Sequence, residues 1–126
     1  MAYRILVVDD EENMRVLLKR VLGKEGYQVE CADLGKTALR LAKDNLFDLA
    51  VVDVCMPEMD GLEVLKKLKS INRQLPVVII SAYPSWGRKQ AAERMGCAAY
   101  LSKPVDMKYL KQLIKKELAG QIEVMT

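Results

Sequence analysis

Short apolar runs separated by segments of helical period constrain this chain more than any other feature. Tyr3 to Val8, Tyr27 to Ala32, Phe47 to Val52, Val77 to Ile80 and Ala98 to Leu101 have strand length and strand composition. Runs such as Ile-Leu-Val-Val and Val-Val-Ile-Ile do not alternate with polar residues, the mark of strands covered on both faces of a parallel sheet. Between them, Met14, Leu17, Leu18, Val21 and Leu22 recur at three- and four-residue spacing. So do Leu62, Leu65 and Leu68, and then Leu110, Leu113, Ile114 and Leu118, as amphipathic helices require. Shorter helices are expected near Thr37 to Lys43 and Arg88 to Met95, with Gly23, Gly96 and Gly120 as stops. The pattern predicts a doubly wound α/β fold. Its single five-stranded parallel sheet is expected in the flavodoxin-like order 2-1-3-4-5 with five flanking helices. One domain over residues 1–120 is expected, with residues 121–126 as a frayed tail.

Composition then removes whole classes of chemistry. The chain has no histidine, which excludes Ser/His and Cys/His nucleophilic pairs and the commonest zinc ligand. Cys31, Cys55 and Cys97 are odd in number and far apart, which suits buried reduced thiols and no disulfide framework. The apolar run before Asp9 is too short for a signal-peptide core or a membrane span, so a cytoplasmic location and no membrane partner are expected. A net charge of +3 is too small to announce direct nucleic-acid binding. The charge is unevenly spread: residues 1–63 hold 8 basic and 13 acidic side chains, residues 64–126 hold 12 and 4.

In an open α/β sheet, ligands bind beyond the carboxyl ends of the strands where the strand order reverses, here between strands 1 and 3. Strand 1 ends in Asp9 and Asp10, and strand 3 ends in Asp53. Three carboxylates in one crevice would drive one another toward protonation unless a cation sat among them. An all-oxygen donor set without histidine or thiolate favours a hard cation, magnesium above all. The same residues also have plainer readings. Asp10, Glu11 and Glu12 could be a helix cap with an acidic first turn, and Asp53 could cap a loop. Met56-Pro57 and Asp60-Gly61 could be a turn with Asp60 as the next helix cap. Strand 4 ends in Ser81 and strand 5 in Leu101-Ser102-Lys103-Pro104, bringing a hydroxyl and an ammonium to the same edge. A carboxylate nucleophile, a metal, a hydroxyl donor and a lysine are what in-line phosphoryl transfer needs.

The Asp9-Asp10 pair, Asp53 within Asp-Val-Cys-Met-Pro-Glu-Met-Asp-Gly, Ser81-Ala82, Tyr100 and Lys103-Pro104 together closely resemble the response-regulator receiver family, over nearly the whole chain. The resemblance implies that Asp53 accepts a phosphoryl group from a histidine kinase or phosphotransfer protein. It implies that Asp10, Asp53 and the backbone carbonyl of Cys55 bind Mg2+, with Asp9 acting through the water shell. Ser81 and Lys103 would bond phosphoryl oxygens, Ala82 would leave the approach open, and Tyr100 would be the aromatic switch that follows Ser81. It also implies a cis Lys103-Pro104 bond, a downstream effector protein or domain as partner, and a phosphoryl lifetime tuned by Cys55 and Tyr83.

Pro84-Ser85-Trp86-Gly87 is an unusual loop after strand 4, whose tryptophan is expected to be packed. Lys89, Arg94, Lys108, Lys111, Lys115 and Lys116 make the face of helices 4 and 5 basic, and Cys97-Ala98-Ala99 supplies no acid to meet them. Self-pairing of the acid-on-base kind is therefore disfavoured, while a homodimer of another kind stays open. Two other functions compete. A haloacid-dehalogenase-like aspartyl-phosphate hydrolase needs Asp-x-Asp, and Asp53 is followed by Val54-Cys55. An interaction module of receiver-like fold would do without phosphorylation, against which the full set of charged residues speaks, and a flavin module on the same scaffold lacks a glycine-rich phosphate cradle.

Overall fold

The computed structural model describes residues 2–56, 58–82 and 85–125, with side chains through residue 120. Tyr83 and Pro57 lie outside the described residues. The strands are β1 (Arg4–Val8), β2 (Gln28–Ala32), β3 (Leu49–Asp53), β4 (Val77–Ser81) and β5 (Ala99–Ser102). The helices are α1 (Glu12–Lys24), α2 (Gly35–Asp44), α3 (Gly61–Ile71), α4 (Trp86–Arg94) and α5 (Met107–Met125). All strands pair parallel in the order β2-β1-β3-β4-β5, the expected α/β architecture.

The unbroken apolar strands are explained by two cores, one on each face of the sheet. Leu6 and Val8 of β1, Ala50 and Val52 of β3, and Val77 and Ile79 of β4 face α2, α3 and α4 through Leu39, Val64, Leu65, Leu68 and Ala92. Their chain neighbours Ile5, Val7, Leu49, Val51, Val78 and Ile80 face α1 and α5 through Leu18, Leu22, Leu110, Ile114 and Leu118. A strand with period two and a core on each side has no position left for a polar residue. Each such aliphatic side chain contributes about 1.5–3 kcal/mol of burial, so the central strands are the firmest part of the fold.

Two helix ends differ from expectation. Gly23 lies inside α1, and the stop is Gly26 at φ 92°. There the Gly26 N–H donates to the Gly23 carbonyl at 3.0 Å and the Tyr27 N–H to the Leu22 carbonyl at 3.3 Å, closing a left-handed cap. Gly120 does not end α5, which continues to Met125, so the segment expected to fray from Gln121 is helical as far as it is described. A helix interior tolerates one glycine for about 1 kcal/mol, and Leu110, Ile114 and Leu118 already anchor this helix in the core. Among the described residues no helix is long and apolar enough to cross a membrane.

Candidate functional site

β1, β3 and β4 run in register to the same edge of the sheet, so their last side chains meet there. Asp9 is 2% exposed, Asp53 3% and Ser81 0%, whereas Asp10 faces solvent. One carboxylate oxygen from each of Asp9, Asp10 and Asp53 lies within 4.8 Å of the others. The capping reading of Asp10 fails on this geometry. α1 begins at Glu12 behind Glu11, with no side-chain cap, and Asp9 Oδ1 instead accepts the Glu11 N–H at 2.9 Å. From α1, Arg15 reaches back to the Asp9 carbonyl at 2.9 Å and fixes the strand end.

Asp53 is held at both oxygens. Oδ1 accepts the Cys55 N–H at 3.0 Å, and Oδ2 faces the Lys103 ammonium at 3.3 Å. Lys103 arrives from the end of β5, where its N–H donates to the Ser81 carbonyl at 2.8 Å and the following Pro104 bond is cis. Its ammonium also donates to Asp9 Oδ2 at 3.1 Å and to Glu11 Oε1 at 2.8 Å. Glu11 was absent from the candidates. Its partner lies 92 residues away, and no local pattern joins them.

Electrostatics follow from this crowding. Burial, reinforced by the Asp9 charge, pushes the Asp53 carboxyl up to about 6 against the opposing Cys55 hydrogen bond and Lys103 charge. Burial also pulls the Lys103 ammonium down, but the hydrogen bonds it donates to Glu11 and Asp9 and the charges of Asp53 and Asp9 outweigh it and hold it above the ordinary lysine value. Lysine alone therefore leaves the cluster under-neutralised. The donor set, three carboxylates and no thiolate or imidazole, fits a hard divalent cation.

Gly61 shows how tightly β3 is walled in. A Cβ there would stand 2.3 Å from the Asp53 carbonyl oxygen and 2.4 Å from Val54 Cα, so only glycine lets α3 start this close. The Gly61 N–H donates to the Val54 carbonyl at 2.9 Å, and Asp60 Oδ1 caps α3 by accepting the Leu62 N–H at 2.8 Å. Ser81 sits 4.0 Å from the Cys55 thiol, oxygen to sulfur. Tyr100 is paired in register with Ile79 and packs in the same core cluster, on the sheet face that Ser81 continues. Its hydroxyl is buried without a partner among the described residues.

Trp86 corrects an expectation: it opens α4 directly after the Ser85 cap and is 75% exposed, not packed in a loop. The three cysteines are half-buried, not fully enclosed. The basic face is present: Lys89, Arg94, Lys108, Lys115 and Lys116 are exposed and Lys111 is half-buried.

Residues 5–115 match the response regulator receiver domain family. The chain is 36% identical over 115 residues to sporulation initiation phosphotransferase F of Bacillus subtilis, covering 91% of this chain and 93% of that protein. It is 37% identical over 118 residues to the regulatory protein AtoC of Escherichia coli, covering 94% of this chain but only 26% of that one. A receiver domain protein from Methanospirillum hungatei superposes with a TM-score of 0.95 at 31% identity over 98% of each chain. The crevice of acids, lysine and hydroxyl, the strand order and these likenesses agree: the chain belongs to the response regulator receiver family, the phosphorylation-dependent switches of two-component signalling.

Proposed function

We propose that Asp53 is the phosphoacceptor of this switch, with a histidine kinase or a phosphotransfer protein as donor in the cytoplasm. The supporting observation is a buried carboxylate at the end of β3 with a lysine on one oxygen and two further aspartates within 4.8 Å. In the transfer, Asp53 Oδ2 attacks phosphorus in line as the bond to the donor's imidazole nitrogen breaks. The product is a mixed anhydride on the side chain. Attack on an anionic phosphoryl group needs charge neutralised on its peripheral oxygens, and Lys103 supplies one fixed positive charge beside Asp53. Mg2+ held by Asp10, Asp53 and the Cys55 carbonyl, with Asp9 acting through its water shell, would neutralise more of that charge. The Cys55 N–H fixes the rotamer of Asp53 so that one oxygen faces the crevice.

After transfer, the Ser81 hydroxyl turns to donate to a phosphoryl oxygen. Tyr100, on the same sheet face, follows it and alters the surface of α4, β5 and α5 for a downstream effector protein or domain. The switch thereby shifts a pre-existing equilibrium, and hydrolysis of the anhydride returns phosphate and the free carboxylate. Catalysis is confined to the chain's own phosphorylation and dephosphorylation.

The test is incubation with acetyl phosphate and magnesium, followed by mapping of the hydroxylamine-sensitive group. Wild type should carry it on the peptide containing Asp53, and Asp53→Asn should carry none there. Equal labelling of both proteins would remove Asp53 from this role.

A further inference from the structure

One ion pair joins two helix starts and takes no part in the chemistry just described. Asp60 caps α3 with Oδ1, and its Oδ2 accepts from the Arg88 guanidinium. Arg88 lies in the first turn of α4, and its own N–H donates to the Ser85 cap at 3.3 Å. The Asp60 end is anchored, because the adjacent Gly61 N–H is bonded to the Val54 carbonyl one residue past Asp53. The Arg88 end follows shortly after Ser81, the hydroxyl expected to move. The pair thus ties the start of α3, just after the strand that carries the nucleophile, to the first turn of the helix that follows the hydroxyl.

The surroundings indicate an arrangement held in place, not one fully relaxed. Arg88 Nε is buried without a partner among the described residues, and so is the Tyr100 hydroxyl. The hydrogen bond to Asp60 raises the Arg88 guanidinium above its ordinary value against the effect of burial, and Cys55 and Tyr100 lie within electrostatic reach of it. Buried donors left unpaired are costly, so an arrangement that gave both groups partners would be favoured over this one once the ion pair is gone.

We propose that Arg88 is a positioning residue whose pair with Asp60 latches the start of α4 to α3 and so opposes the switched arrangement of Ser81 and Tyr100. This inference rests on the phosphoacceptor reading of Asp53. Breaking the latch favours the state that binds a phosphoryl group, without touching the group itself.

The experiment titrates the full chain with beryllofluoride in saturating magnesium, following the fluorescence of Trp86, the single tryptophan and first residue of α4. Fluorine NMR reports occupancy independently. Arg88→Met and Asp60→Asn, the latter keeping a capping oxygen, should each lower the half-saturating concentration about two- to fivefold, the scale of a half-exposed ion pair. The double variant should add nothing further, Arg88→Lys should restore most of the wild-type value, and the response to magnesium alone should not change. A merely structural role would lower thermal stability and leave these affinities in place. Unchanged or weaker binding in both single variants overturns the latch, as does a Trp86 signal that stays silent while fluorine NMR shows the site filled. Failure of wild type to bind beryllofluoride at all would instead strike at Asp53 as phosphoacceptor.

Discussion

Lys103 and Lys69 stand at opposite ends of the same sheet and show what decides the fate of a half-buried lysine. Lys103 meets three carboxylates, from Asp9, Glu11 and Asp53, and is held above its ordinary value. Lys69 donates to the carbonyls of Arg73 at 2.7 Å and Leu75 at 3.0 Å, and burial, assisted by the Arg73 charge, pulls it below its ordinary value. One ammonium compensates charge that the strand ends concentrate. The other satisfies main-chain acceptors where α3 turns into β4, the work of a helix C-terminal cation. Strand direction makes the difference: in a parallel sheet every β-strand delivers its last side chain to the same edge, and the opposite edge receives only incoming loops.

The contrast is easiest to break at Lys103. Lys103→Met should slow labelling of Asp53 by acetyl phosphate by about 100-fold or more, the effect of losing one preorganised charge at a developing anion. Labelling within a few-fold of wild type would place that charge outside the reaction.

A smaller effect concerns Asp53 itself. Its folded-state carboxyl, raised from 3.8 to about 6, makes the folded chain bind more protons than the unfolded chain between those values. The associated stability is fully present below pH 3.8 and is lost as pH rises through about 6. In chelator, wild type should therefore lose on the order of 1 kcal/mol relative to Asp53→Asn between pH 4 and pH 7, read from urea midpoints. Magnesium should restore much of it at neutral pH. A difference of the opposite sign would show the acid cluster to be already compensated.

The smallest change is expected at the other end of the sheet. Lys69→Met keeps the aliphatic stem and should cost about 0.5–1.5 kcal/mol of stability, one net hydrogen-bonding group, while the labelling rate stays at the wild-type value. A reduced rate would mean that the two ends of the sheet are coupled, against the division drawn here.

Much of this was legible in the residues because burial on two faces leaves a plain trace. Ile5 to Val8 and Val77 to Ile80 cannot be amphipathic in either period, so the sheet and its order followed, and with them the meeting of Asp9, Asp10 and Asp53. What escaped depended on partners remote in sequence or on helix phase. Glu11 looked like a charge at a helix start, and only the fold brings Lys103 to it. Asp60 was legible as a cap, but its second oxygen meets Arg88 only once α3 and α4 lie side by side. That α1 stops at Gly26 and not at the expected Gly23 depends on which carbonyls the chain reversal reaches, a matter of three-dimensional closure that composition does not encode.

The close approach that Gly61 permits has a mechanical consequence. With the main chain of Asp53 and Val54 pressed against the first turn of α3, closer than a methyl group would permit, the nucleophile has a rigid backstop. Any side chain larger than hydrogen at Gly61 would have to push α3 away from the main chain that carries the nucleophile, so the placement of the Asp53 carboxylate depends on that one missing methyl group.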